Sequence, residues 1–128
     1  MNTLPKSESL KSKKLIRLLF SNGKSEFVYP FKIVYYQLEK EEKHPALLLI
    51  SVGKKKIKTA VGRNHIKRLF REAYRKHKHP LFEALEKKEK NIALGFIYVG
   101  SPKPDYLFIE DKVKQGLNLL TKKISSSK

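Results

Sequence analysis

Cysteine and tryptophan are both missing from the 128 residues, and methionine occurs once. Without cysteine there is no disulfide framework, no thiolate nucleophile and no Cys-ligated zinc, which excludes a stapled secreted mini-protein and fits a reducing, cytoplasmic setting. Long apolar runs are scarce as well. The longest, Ala46–Ile50 and Ile92–Val99, fall far short of the roughly 18–20 residues of a membrane span. The lysines at 6, 11, 13 and 14 precede an apolar stretch that Arg17 interrupts, so residues before Asn22 read as an amphipathic helix and not as a signal peptide. Acidic residues are few: 12 Asp and Glu stand against 29 Lys and Arg, a net charge of +17. What is present, 40% hydrophobic residues with 7 Phe and 6 Tyr, is enough for a core and argues against wholesale disorder. The expectation is one soluble domain over residues 1–128, with an ordered core from about 9 to 124 and frayed ends.

The positive charge is concentrated. Between Gly53 and His79, eleven Lys and Arg face the single Glu72, so those 27 residues hold +10 of the net +17. Solubilising charge is usually mixed in sign and spread out, whereas a local excess of this size marks a polyanion-binding face.

Period and punctuation define the elements. Leu15, Ile16, Leu18, Leu19 and Phe20 predict a first helix from about Ser9 to Asn22, stopped at Asn22-Gly23. Alternating aromatic and β-branched residues from Phe27 to Tyr36 predict strands, which Pro30 divides into about Ser25–Tyr29 and Phe31–Leu38. The unbroken run Ala46–Val52 reads as a strand buried on both faces, followed by a basic loop from Gly53 to Thr59. Ile66, Leu69, Phe70, Ala73 and Tyr74 then share one face of a helix whose adjoining face carries Lys67, Arg68, Arg71 and Arg75. Pro80 ends or breaks that helix, and Leu81–Lys88 predicts a further turn or two. Ile92–Val99 is a strand, and Val113, Leu117, Leu120 and Ile124 are the buried stripe of a last helix. The order α-β-β-β-α-β-α implies an α+β protein, a two-layer sandwich of helices on a mixed sheet.

Catalytic chemistry is hard to assemble from these residues. Most carboxylates sit in Lys-interleaved runs, Glu39/Glu41/Glu42 and Glu83/Glu86/Glu89, that read as solvated surface. His77 and His79 do not share a helical face, His44 sits in a turn, and Gly53 and Gly62 lack the spacing of a phosphate-cradling loop, so neither a metal site nor a catalytic residue is expected. What remains is Arg63-Asn64-His65-Ile66-Lys67-Arg68-Leu69-Phe70-Arg71-Glu72. Its apolar residues fix the helix on the core while Arg63, Asn64, Lys67, Arg68 and Arg71 present a cationic ridge suited to phosphate oxygens. A basic helix that merely solvates the fold or lies on an anionic membrane is the competing reading.

These residues resemble the protein subunit of bacterial ribonuclease P. That family carries an Arg-Asn-Arg signature running into Ile/Leu-Lys-Arg-x-x-Arg-Glu, preceded by a Ser-Val-Ser-Lys-Lys strand end. Here the residues are Ser51-Val52-Gly53-Lys54-Lys55 and Ala60-Val61-Gly62-Arg63-Asn64-His65-Ile66-Lys67-Arg68-Leu69-Phe70-Arg71-Glu72. The likeness extends over about residues 10–78, while Leu81–Lys128 agrees in its strand–loop–helix order. His65 stands where the signature has its second Arg, which weakens one expected phosphate contact or makes it dependent on pH. Gly53 stands where Ser is common.

The resemblance implies a large catalytic RNA that holds magnesium and hydrolyses one phosphodiester to release the 5′ leader of precursor tRNA, with the protein as its non-catalytic subunit. It implies docking on that RNA through Lys54, Lys55, Arg63, Asn64, His65, Lys67, Arg68, Arg71 and Arg75. It also implies a cleft between the first helix and the sheet for single-stranded leader, for which Ile16, Phe20, Lys32, Val34 and Tyr36 are the candidates. Unpaired bases need flat apolar platforms and phosphates need fixed cations, and these residue types supply both. A left-handed βαβ crossover and a monomer in a one-to-one complex with the RNA are implied as well. The competing functions are a ribosomal-type structured-RNA binder with no processing role and, more remotely, a stand-alone nuclease.

Overall fold

A computed structural model describes residues 6–39 and 42–126. Its elements are a single 3-10 turn at Lys6–Glu8, then α1 (Lys13–Asn22), β1 (Lys24–Val28), β2 (Phe31–Leu38), β3 (Ala46–Val52), α2 (Ala60–His77), α3 (His79–Lys87), β4 (Asn91–Tyr98) and α4 (Tyr106–Ser126). The predicted α+β order is present, with α3 as a separate nine-residue helix that Pro80 opens at its first turn.

The four strands lie in the order β1-β2-β4-β3. β1–β2 and β2–β4 are antiparallel, whereas β3 and β4 are parallel and joined by a crossover through α2 and α3. One sheet face carries Phe31, Ile33, Leu48, Ile50, Leu94, Phe96 and Tyr98, packed against Ile66, Phe70 and Tyr74 of α2, Leu81 and Leu85 of α3, and the predicted stripe Val113, Leu117, Leu120 and Ile124 of α4. An aromatic cluster sits at its centre: Phe70 lies 4.8 Å from Phe96, 5.6 Å from Phe31 and 5.8 Å from Tyr74, centroid to centroid. The other face holds a smaller core of Leu10, Leu19, Val34, Leu38, Leu47 and Ala93 beneath α1. β3 is therefore buried on both sides, as its apolar run requires.

Several boundaries and one phase differ from the sequence expectation; β4 runs Asn91–Tyr98 and not Ile92–Val99, and α3 runs His79–Lys87 and not Leu81–Lys88. The first helix begins at Lys13 and not near Ser9, because Ser9 and Leu10 are taken up by the edge of β3: Ser9 bridges Leu48, and Leu10 N–H donates to the Leu48 carbonyl at 2.8 Å. Ser12 then caps the helix, its hydroxyl accepting from Leu15 N–H at 3.2 Å. Glu8, 1% exposed, is held by Lys78 Nζ at 2.9 and 3.0 Å, which anchors this segment to the α2–α3 junction. β1 spans Lys24–Val28, one residue earlier than expected. The turn at Tyr29-Pro30 also inverts the alternation, so Phe27 shares a face with Lys32 and not with Phe31.

Candidate nucleic-acid interface

The N-terminal half of α2 is ordered by its loop. Thr59 caps it, accepting from Gly62 N–H at 3.0 Å, and Arg63 Nη1 donates to the Ile57 carbonyl at 2.8 Å while Ile57 itself is buried. Arg63 thus braces the basic loop with part of its guanidinium. Arg75 is turned aside as well, paired with Glu72 at 2.9 Å. Asn64, His65, Arg68 and Arg71 are exposed, Lys67 is half-buried, and Arg68 Nη2 donates to His65 Nδ1 at 3.1 Å. Lys54 and Lys55 lie exposed in the turn after β3, and Lys56 Nζ donates to the Val99 carbonyl at 3.0 Å, tying that turn to the end of β4. The basic residues form an outward-facing ridge in which Arg68 is shared with His65, while Arg63 and Arg75 are partly engaged within the fold.

Cross-strand registers build the second surface on the face that α1 shares. Phe27, Lys32, Ile97 and Ser51 lie side by side in one row across β1, β2, β4 and β3; the next row is Ser25, Val34, Gly95 and Leu49. α1 crosses this second row. A Cβ on Gly95 would lie 2.9 Å from Val34 and 3.2 Å from Leu19, which is how closely the helix sits. The first row stays open: Phe27 is 60% exposed, with Tyr29 beside it at 6.4 Å between rings. The helical period puts Leu19 downward, Ile16 and Phe20 on one flank of α1, and Lys14 and Leu18 on the other.

The five predicted cleft residues divide accordingly. Ile16 and the half-exposed Phe20 belong to one flank of α1, and Lys32 is exposed in the open row. Val34 is 5% exposed and belongs to the core under α1. Tyr36 lines a groove of about 340 Å3 with Lys14, Leu18, Glu39 and Glu42, where two carboxylates disfavour phosphate. The place of Phe27, Tyr29 and Ile97 at the open row depends on the phase change at Pro30 and on non-local pairing, which local sequence pattern does not carry. The open row ends one residue before the strand ends that lead into the Lys54–Lys58 loop, so the ridge and the open face meet at one end of the sheet.

Among the described residues no three His, Cys, Asp or Glu side chains group as a metal site, and no helix is long and apolar enough to cross a membrane. Several carboxylates are committed to cations: Glu26 to Lys123 at 3.0 Å, Glu72 to Arg75 and Lys76, Glu8 to Lys78. Away from the ridge, the His77 hydrogen bond holds the Glu110 carboxyl below its usual range, and burial raises the Tyr98 phenol, whose hydroxyl donates to the Ser101 carbonyl at 2.6 Å.

Comparison with known proteins agrees with this geometry. A family model described as Ribonuclease P matches residues 4–104. The ribonuclease P protein component of Porphyromonas gingivalis is 35% identical over 124 residues, covering 97% of this chain and 90% of its own. That of Chlorobaculum tepidum is 38% identical over 104 residues, 76% of this chain and 68% of its own. In fold, the chain is similar to the RNase P protein of Staphylococcus aureus, with a TM-score of 0.72 and 23% identity over 89% of this chain and 95% of that one. The RNase P protein of Thermotoga maritima gives a TM-score of 0.66 and 24% identity over 89% and 96%. With sequence, fold and basic surface in agreement, the chain belongs to the ribonuclease P protein family and is an RNA-binding protein component of that ribonucleoprotein.

Proposed function

We propose that this chain docks on the catalytic RNA of ribonuclease P through the α2 ridge and the Lys54–Lys58 loop, and holds the single-stranded 5′ leader of precursor tRNA on the open sheet face. The observation that carries the reading is the junction of the two surfaces at one end of the sheet, which lets one RNA-bound protein reach a substrate strand without moving. The leader's bases rest on Phe27 and Phe20, and Lys32 meets a phosphate between them. The chain brings no catalytic group: hydrolysis belongs to the RNA and the magnesium it holds. The working complex is one protein to one RNA, in the cytoplasm, and the whole chain acts as a single domain.

Two expected outcomes test the division between surfaces. If six to eight cations meet phosphates with single-strand-like charge density, log K for the RNA falls with log salt at a slope of roughly −4 to −6. Arg71→Ala lowers the magnitude of that slope by about one; a slope near zero in the unsubstituted chain contradicts electrostatic docking. Phe27→Ala, at an exposed position, weakens holoenzyme binding of leader-bearing precursor by about five- to tenfold, following the cost of one lost stacking platform. Mature tRNA binding stays unchanged. Equal loss for both tRNA forms removes the leader assignment.

A further inference from the structure

Beside the ridge, a groove of about 950 Å3 runs between the Lys56–Gly62 segment and the Pro102–Pro104 turn, within the size range of clefts that take small ligands. Its helical wall is a stripe on α2, Val61, Asn64, His65 and Arg68, at the i, i+3, i+4, i+7 spacing of one helix face, distinct from the core face of Ile66, Phe70, Ala73 and Tyr74. Val61 is 80% exposed, an apolar side chain at a position where a basic, solvated helix would carry a polar one. Pro102 and Pro104 form the opposite apolar wall, and Lys58, Arg68 and Lys103 rim it. No carboxylate is among the residues that line it.

The walls are braced before anything binds. Arg63 and Lys56 hold the loop side through the Ile57 and Val99 carbonyls, and Gly62 fits so closely that an added Cβ would lie 3.0 Å from Thr59 Oγ1 and 3.1 Å from Ile57. A braced, largely apolar slot whose charged lining residues are all cationic suits an occupant with a flat apolar body and an attached anion.

We propose that this groove seats one unpaired nucleotide of the partner RNA, its base between Val61 and the Pro102–Pro104 turn and its phosphate on Arg68 and Lys103. The inference rests on the docking reading above and adds to it: the ridge contacts phosphates wherever they run, whereas the groove demands a nucleotide out of the stack at one place. Charge decides the occupant class, since the rim lacks any carboxylate that would attract a basic peptide.

The test uses the full chain with the Val61 methyl groups observed by NMR. Adding the trinucleotide pApApA is expected to shift those methyls, whereas its abasic sugar-phosphate counterpart and hexaglutamate leave them in place. In holoenzyme assembly, Val61→Ser lowers affinity for the ribonuclease P RNA about fivefold with the salt slope unchanged; exposure of Val61 keeps the variant folded. Equal methyl shifts with hexaglutamate or the abasic strand would make the groove a polyanion surface only and overturn the proposal. So would full affinity in Val61→Ser while Arg71→Ala still reduces the slope, a result that leaves ridge docking standing. A Val61→Ser loss with an Arg71-independent slope would instead remove the ridge reading and keep the nucleotide seat.

Discussion

Phe70→Ala is expected to cost about 3–5 kcal/mol of stability, among the largest single effects the fold offers. Phe70 is fully buried and touches three other rings, Phe31, Phe96 and Tyr74, that come from two strands and its own helix. Truncation removes the transfer free energy of the ring, leaves a cavity in the middle of the sheet–helix core, and forfeits three aromatic contacts at once. Against a total stability of about 5–15 kcal/mol, that is a large share. Urea denaturation of the free protein reads it directly, as a midpoint lower by about 1 M or more with an unchanged m value. A shift below about 0.5 kcal/mol would mean that this cluster does not organise the core. The consequence for function follows from the other side of the same helix: Arg68 and Arg71 are positioned only while Ile66, Phe70 and Tyr74 hold α2 on the sheet, so RNA affinity should fall in step with the folded fraction.

Gly23→Ala carries the second large effect, and acts on the proposed leader surface. Gly23 joins α1 to β1, its N–H donating to the Leu19 carbonyl at 3.0 Å. Its backbone angles, φ −71° and ψ 158°, suit any residue; the constraint is space. A Cβ there would overlap the Leu19 carbonyl oxygen and lie 2.9 Å from that of Tyr35, and both obstacles are backbone. Relief requires the last turn of α1 to lift from β2, at a cost of about 1–3 kcal/mol. Phe20 rides on that turn. Amide hydrogen exchange in residues 13–22 should therefore accelerate relative to α2, and leader-dependent binding should weaken while RNA docking through α2 persists. Wild-type exchange rates in the variant would show that α1 does not need this close approach.

Local pattern carried much of the fold into view. The bounds of β2 and β3 and the core stripes of α2 and α4 follow from periods of two and three to four residues, and the structure keeps them. What sequence pattern missed is non-local. The first helix is expected from about Ser9, yet the edge of β3 competes for the backbone of Ser9 and Leu10 and wins. Phe27 alternates in step with Phe31 along the chain, but the reversal at Pro30 puts the two rings on opposite faces. For the candidate site, the ridge was legible because a helix displays its faces by spacing alone. Arg63 belongs to it by spacing and spends part of its guanidinium on Ile57, a partner six residues back that only the loop's path brings near. For the cleft candidates, helical spacing places Ile16 and Phe20 together, whereas which strand residues stay open depends on where α1 crosses the sheet: over Val34, leaving Lys32 on one flank and Tyr36 on the other.

The most direct measurement is reconstitution. Purified chain is added to ribonuclease P RNA and precursor tRNA at a magnesium concentration too low for the RNA alone to act well. The chain is expected to stimulate release of the 5′ leader, to release none without RNA, and to lose the stimulation in high salt. Leader release by the chain alone, or no stimulation by the folded chain in low salt, would contradict this expectation.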